Sequence, residues 1–158
     1  MKYEKILVPY DGSSHAQGAF TAARDLAAKM GDDAMIYVVN VIPMAATLTL
    51  HATESVTSHY SFTRRKEYAE DLEKALSKVK DEMKEELTGL YGDFPADRIV
   101  IDAIANPTPV QGLVGYAEEH ECGLIVMGRR GLGAVRGMLG SVSYGVLRAT
   151  DIPVLTVK

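Results

Sequence analysis

Two segments of the chain carry the residue types from which proteins build phosphate sites. The first, residues 9–13, places a carboxylate, a glycine and a hydroxyl directly after an apolar run. The second, residues 128–143, holds five glycines within its first thirteen positions and ends in Gly140-Ser141-Val142-Ser143. Glycine lets a backbone approach a phosphate closely, and the first amides of a helix have no partner inside that helix. The second segment therefore predicts an anion site at a helix start, with the Ser141 and Ser143 hydroxyls as further donors.

Alternating strands and helices position these segments. Short apolar runs predict five strands with helices between them, at about residues 6–8, 35–42, 98–103, 124–127 and 154–157. Each connection is long enough to join parallel strands, and right-handed crossovers place helices on both faces of the sheet. Asn106 and Pro107 predict the cap and first turn of the helix after the third strand. The expected fold is α/β with a five-stranded parallel sheet, and residues 1–158 are expected to form one domain.

Ligands of open parallel sheets bind at the carboxyl ends of the strands, where the strand order reverses. If strands 1 and 4 are neighbours, the two segments face each other across such a crevice. Residues 43–63 have no clear period, and a connection of that length is uncommon in a compact domain. We expect this connection to lie over the crevice as a lid.

Composition narrows the class of protein. The single cysteine, Cys122, excludes an internal disulfide framework and offers no metal-ligand cluster. A net charge of −4 argues against a nucleic-acid partner, because affinity for a phosphate backbone comes mainly from Lys and Arg. We find no signal peptide and no apolar stretch that approaches the roughly 20 residues of a membrane helix. We therefore expect a soluble, cytoplasmic protein with no membrane partner.

The glycine-rich segment matches neither common phosphate loop. It lacks the Gly-Lys-Ser or Gly-Lys-Thr end of a Walker A loop, and residues 11–14 do not supply the dinucleotide fingerprint. The run Ile125-Val126-Met127-Gly128-Arg129-Arg130-Gly131 through Leu139-Gly140-Ser141-Val142-Ser143 instead resembles the ATP-binding signature of universal stress proteins. Residues 8–13 and 153–155 resemble the first and last strand motifs of the same family. The chain departs from the signature in one spacing: eight residues, rather than nine, separate Gly131 from Gly140.

The resemblance implies a fold and a set of site residues. The implied fold is Rossmann-like, of the adenine nucleotide alpha hydrolase type, with strand order 3-2-1-4-5. Asp11 would lie near the ribose or the base, and Val41 would offer its backbone to adenine. The complete implied site consists of Pro9, Tyr10, Asp11, Val41, Met127, Gly128, Arg129, Arg130, Gly131, Gly140, Ser141, Val142 and Ser143. The ligand would be ATP, or AMP or ADP, with Mg²⁺ accompanying ATP near Asp11 or Ser141.

No catalytic residue is assigned. The histidines at 15, 51, 59 and 120 do not pair with a nucleophile at a recognisable spacing. We expect a regulatory binding module of the stress response, with at most slow ATP hydrolysis. Two alternatives stay open: a weak ATPase or phosphotransferase, and a family member that binds no nucleotide.

The last strand predicts a further partner. It is apolar, and Pro153 at its start indicates an edge position. An unprotected apolar edge tends to pair with another chain, and the family resemblance also implies a homodimer through this strand. The identity of any other protein partner does not follow from the sequence.

Overall fold

The computed structural model describes residues 3–44, 62–132 and 139–158, with the backbone alone at 62–66. Most of the predicted lid, and residues 133–138 of the glycine-rich segment, lie outside the described residues.

Five parallel strands form one sheet in the order β3-β2-β1-β4-β5. Their bounds are β1 Lys5–Pro9, β2 Met35–Pro43, β3 Ile99–Asn106, β4 Leu124–Gly128 and β5 Val154–Val157. The α/β fold and the strand order predicted from the sequence are confirmed. β1 lies between β2 and β4, so the strand order reverses between β1 and β4. β5 forms one edge of the sheet and β3 the other.

Within the described residues, four α-helices connect these strands: α1 Ser14–Met30, α2 Phe62–Thr88, α3 Pro109–Glu119 and α4 Ser141–Ala149; a single 3-10 turn, Ala96–Arg98, precedes β3. Ser13 caps α1, because its hydroxyl accepts a hydrogen bond from the Ala16 amide at 3.1 Å. The predicted start of α3 is wrong by two residues: Thr108 is the cap and Pro109 the first helical residue. Asn106 instead ends β3 and accepts a hydrogen bond from the Thr108 amide. Proline fits the first position of a helix, so the sequence offered two compatible starts.

Apolar side chains from the two faces of the sheet form two separate core layers. Ile6 and Val8 point into the layer with α1 and the end of α2, whereas Leu7 points into the layer with α3 and α4. This alternation follows from the pleat of β1, whose three central residues are all fully buried. Helices therefore cover both faces of the sheet, and the carboxyl ends of β1 and β4 lie side by side at one end of it.

Candidate functional site

A cleft of about 520 Å³ opens at the carboxyl ends of the strands, beside the reversal of strand order. Open parallel sheets bind their ligands at this position. The lining comes from the ends of β1, β2 and β4, the loops after β1 and β4, and the first halves of α3 and α4. It consists of Pro9, Tyr10, Asp11, Val39, Asn40, Val41, Pro109, Leu113, Met127, Gly128, Gly131, Leu139, Gly140, Ser141, Val142 and Ser143.

The cleft brings together eleven of the thirteen residues predicted for the site; Arg129 and Arg130 are not part of its lining. Arg129 connects elements through its backbone instead. Its amide donates to the Val157 carbonyl at 2.7 Å, and its carbonyl accepts from the Gly140 amide at 2.9 Å. Arg130 lies behind Gly140, where its Cα would be 3.3 Å from a Cβ added to that glycine. Arg129 thus links β5 to the start of α4 through its backbone.

Five lining residues were not predicted, namely Val39, Asn40, Pro109, Leu113 and Leu139. Four of them are apolar, and apolar residues at strand ends and helix starts give no signal that separates a cleft from a core. Asn40 is different, because it is a polar residue inside the otherwise apolar run of β2. That interruption is the signal from which it could have been found.

The loop after β1 and the end of β2 form what we call the first wall, residues 9–13 and 39–41. The backbone of Tyr10 is hydrogen-bonded to β2 through both its amide and its carbonyl. Its amide donates to the Val39 carbonyl at 2.9 Å, and its carbonyl accepts from Asn40 Nδ2 at 2.7 Å. Asp11 then turns the chain toward α1, because its Oδ1 accepts from the Ser13 amide at 3.1 Å. The first wall is therefore held by polar groups of its own residues.

Asp11 also reaches across the cleft to the loop after β4. Its Oδ2 accepts a hydrogen bond from the Leu132 amide at 3.2 Å. The carboxylate fits there because residue 131 is glycine: a Cβ added to Gly131 would collide with Asp11 Oδ2. Asp11 thus joins two loops that are 121 residues apart in the chain.

The loop after β4 and the start of α4 form the second wall, residues 127–132 and 139–143. Gly128 is required here by packing against α1, since an added Cβ would lie 2.8 Å from His15 Cβ and 2.9 Å from the His15 carbonyl carbon. The sequence assigned this glycine to close approach of a phosphate. The described contacts give it a different reason, namely the approach of the β4 end to the first turn of α1.

The Ser143 hydroxyl is also used inside the protein. It is buried and donates to the Gly128 carbonyl at 2.9 Å. A hydroxyl has one proton to donate, and here it forms a clasp between β4 and α4. The role of Ser143 Oγ as a phosphate donor stays a prediction. The backbone of Ser143 still lines the cleft.

The first turn of α4 supplies donors to the cleft. Gly140 is the cap residue and provides no side-chain hydrogen bond, and the Tyr144 amide is the first that bonds back to it, at 2.9 Å. The amides of Ser141, Val142 and Ser143 precede that bond, and all three residues line the cleft. The positive end of the helix dipole therefore faces the cleft, which is favourable for an anion.

The Tyr10 side chain belongs to the core rather than to the cleft. Its ring packs in the layer with α1 and α2, and its hydroxyl donates to Glu86 Oε2 at 2.9 Å. Burial, followed by the hydrogen bond and the charge of Glu86, raises the pKa of Tyr10 to about 12. The phenol is therefore neutral at physiological pH, and Tyr10 contributes its backbone to the site.

Among residues 3–44, 62–132 and 139–158, no group of three or more His, Cys, Asp or Glu side chains is arranged to hold a metal ion. Within the same ranges, no helix combines the length and the apolar character that a membrane span requires.

Fold and site together define an α/β protein with an open parallel sheet, a cleft at the reversal of strand order and a helix start directed into that cleft. Residues 2–158 match the universal stress protein family, and the chain belongs to that family. Universal stress protein YxiE of Bacillus subtilis is 30% identical over 157 residues, which cover 99% of each chain.

Solved structures show the same fold. Universal stress protein UspA from Lactobacillus plantarum superimposes with a TM-score of 0.69 at 23% identity, covering 100% of this chain and 99% of that one. A universal stress protein solved in complex with cAMP has a TM-score of 0.60 at 22% identity, covering 98% of this chain and 96% of that one. At these identities the superpositions establish the architecture, and the ligand is a property of the other protein.

Proposed function

We propose that this universal stress protein binds an adenine nucleotide in the cleft and acts as a regulatory binding module in the cytoplasm. The observation that carries the proposal is the start of α4, whose amides at residues 141–143 line the cleft without a side-chain cap. A phosphate bound there would accept hydrogen bonds from these amides and interact with the helix dipole. The complex of a family member with cAMP supports an adenine nucleotide as the ligand class.

The remainder of the nucleotide would lie between the two walls. Val39, Val41 and Leu113 give the β2 side of the cleft an apolar surface suited to a base, and the backbone of Val41 offers an amide and a carbonyl to the adenine edge. Asp11 lies between this surface and the second wall, on the ribose side. The ligand would be ATP, ADP or AMP. Mg²⁺ accompanying ATP would find oxygen ligands in the Asp11 carboxylate or the Ser141 hydroxyl, the donor type that it prefers.

The experiment that tests this proposal removes a single backbone donor. Ser141 is the first residue of α4, a position that accepts proline, and the backbone of Gly140 (φ −62, ψ 150) has the extended conformation that a residue before proline adopts. Ser141→Pro therefore removes one amide while it leaves the helix in place. We expect the affinity for AMP and ATP, measured by isothermal titration calorimetry, to fall by about tenfold, the value of one hydrogen bond to a charged group.

Ser141→Ala is the matched control, because it removes the hydroxyl and keeps the amide. Its affinity for AMP, measured without Mg²⁺, should remain within about threefold of the original, since the Ser141 side chain is exposed and replaceable by solvent. Equal affinities of Ser141→Pro and Ser141→Ala for both nucleotides would contradict a site at the start of α4.

We also propose that the protein forms a homodimer through β5. The two edges of the sheet differ in charge. At β3, Asp102 binds Lys80 of α2 at 3.1 Å, and charges of this kind protect an edge from pairing. At β5, Leu155 is 41% exposed and the nearby α4 exposes Tyr144 and Leu147. Apolar surface at a strand edge suits association with a second copy.

Light scattering after size-exclusion chromatography tests the dimer. At micromolar concentration we expect twice the mass of one chain, and Leu155→Lys should reduce it to a single chain because the charge would be buried at the edge. Tyr3→Lys is the control, since Tyr3 is equally exposed (41%) but lies ahead of β1. A monomeric mass for the unaltered protein would contradict this proposal.

A further inference from the structure

We propose that Asp11 sets the phosphate number that the cleft accepts: it disfavours a polyphosphate tail unless a divalent cation accompanies it. The inference rests on the proposed function, because it concerns the same cleft. It goes beyond it by giving Asp11 a role in discrimination rather than only in contact with the nucleoside.

The first observation is where the carboxylate lies. Asp11 Oδ2 accepts from the Leu132 amide at 3.2 Å, on the segment that forms the second wall. That segment is bound to the start of α4, because the Gly140 amide donates to the Arg129 carbonyl at 2.9 Å. Gly131 and the first residues of α4 line the cleft together. The Leu132 amide directly follows the lining residue Gly131, on the segment that is bound to the start of α4, and the Asp11 carboxylate already occupies it.

Hydrogen bonds of the first wall also hold the Asp11 carboxylate in place. Its other oxygen, Oδ1, accepts from the Ser13 amide, and the preceding residue is bound to Asn40 through its carbonyl. A Cβ at residue 131 would collide with Oδ2, so the glycine leaves the space that the carboxylate occupies. Asp11 is exposed, and moving it away would break two hydrogen bonds, so a ligand that enters the cleft meets a negative charge at this position.

The negative charge of Asp11 affects a nucleoside monophosphate and a nucleoside triphosphate differently. A monophosphate needs only the amides at the start of α4. A longer tail extends from these amides along the second wall, where it competes with Asp11 for the Leu132 amide and adds charge of the same sign within a few ångströms. A divalent cation between the carboxylate and the phosphates reverses this repulsion, since both supply the oxygen ligands that Mg²⁺ binds. The cleft should therefore bind AMP with little dependence on Mg²⁺, and ATP with a strong dependence.

The experiment measures the affinities of AMP and ATP by isothermal titration calorimetry, once with excess Mg²⁺ and once with EDTA. Three proteins are compared: the unaltered chain, Asp11→Asn and Asp33→Asn. Asparagine at 11 keeps an acceptor for the Ser13 amide and removes the charge. Asp33→Asn changes the net charge equally, at an exposed turn residue between α1 and β2, away from the cleft lining. Asp11→Ser, which also retains an acceptor for the turn, provides a second neutral variant.

We expect the ratio of ATP affinity to AMP affinity in EDTA to rise by about tenfold in Asp11→Asn and Asp11→Ser, as removal of one close like charge predicts. The ratio should not change in Asp33→Asn, and Mg²⁺ should affect ATP binding less in the neutral variants than in the unaltered chain. A ratio that is unchanged while both affinities fall together would overturn this inference and make Asp11 a nucleoside contact. Absence of binding of both nucleotides to the unaltered chain would overturn the proposed function itself.

Discussion

The two walls of the cleft are built by opposite means. The first wall is held by side-chain hydrogen bonds, with Asn40 bound to the Tyr10 carbonyl and Asp11 bound to the Ser13 amide. The second wall depends on missing side chains, since Gly128 and Gly131 leave space for His15 and Asp11. The first wall should therefore tolerate substitutions at the cost of a hydrogen bond, whereas the second should respond to an added methyl group with a steric clash. We therefore expect the largest loss of stability from a substitution in the second wall.

The largest effect is expected for Gly128→Ala. The new Cβ would lie 2.8 Å from His15 Cβ and 2.9 Å from the His15 carbonyl carbon, and backbone cannot rotate away as a flexible side chain can. We expect a loss of about 1–3 kcal/mol in the free energy of unfolding, the usual result of overpacking. Urea denaturation followed by circular dichroism measures it.

Gly115→Ala is the control for this change. Gly115 lies in α3, and an added Cβ would have nothing within 4 Å. Alanine is the better helix former, so this variant should gain up to about 1 kcal/mol. If both variants lost the same stability, the packing reason given for Gly128 would be wrong.

A smaller effect is expected for the loss of one side-chain hydrogen bond in either wall. Ser143→Ala leaves the Gly128 carbonyl without its buried partner, and Asn40→Ala does the same to the half-buried carbonyl of Tyr10. We expect each to lower the free energy of unfolding by about 1–2 kcal/mol. Ser141→Ala, at an exposed position without a clasp, should stay within about 0.5 kcal/mol of the original. An Asn40→Ala variant as stable as Ser141→Ala would show that the Asn40 side chain does not hold the first wall.

The smallest effect is expected for Tyr10→Phe, which removes the hydroxyl bonded to Glu86 and should cost about 1 kcal/mol near neutral pH. The contribution of the Tyr10 hydroxyl is identified by how the free energy of unfolding depends on pH. An unfolded tyrosine loses its proton near pH 10, whereas the pKa of Tyr10 in the folded chain is about 12. The unfolded state therefore loses protons first, and this contribution to stability is complete below pH 10 and declines as the pH rises to about 12.

Denaturation at pH 8, 10 and 11 measures this slope. The decline between pH 10 and 11 should be shallower in Tyr10→Phe than in Tyr144→Phe, whose ring is exposed on α4. Identical slopes would mean that the Tyr10 phenol titrates alike in both states.

Sequence and structure agree where the pattern is local. Buried runs such as Ile6-Leu7-Val8 predict strands because both faces of the sheet are covered, and the order of strands and helices then limits the topology. The glycine-rich segment and residues 9–13 meet at one cleft for the same reason. Seven of the residues that line the cleft come from the glycine-rich segment.

The differences arise where distant residues meet. Asn40 binds the carbonyl of Tyr10 from 30 residues away, and Asp11 binds the Leu132 amide from 121 residues away. Neither bond leaves a pattern in a single sequence. The reason for Gly128 is equally hidden, because the clash with His15 depends on how closely α1 packs on β4. Residue type predicted a glycine-rich site, but only the fold shows that Gly128, which lines the cleft, is also required by packing against His15.

The most direct test of an adenine-nucleotide site at the start of α4 follows backbone amides by nuclear magnetic resonance during titration with AMP. A uniformly ¹⁵N-labelled protein would report each amide separately. We expect saturable shifts that are largest at Ser141, Val142 and Ser143 and at Val41 across the cleft, with small shifts at Gly115 on α3. Saturable shifts confined to residues outside the cleft, or no shifts with either AMP or Mg²⁺-ATP, would contradict an adenine-nucleotide site at the start of α4.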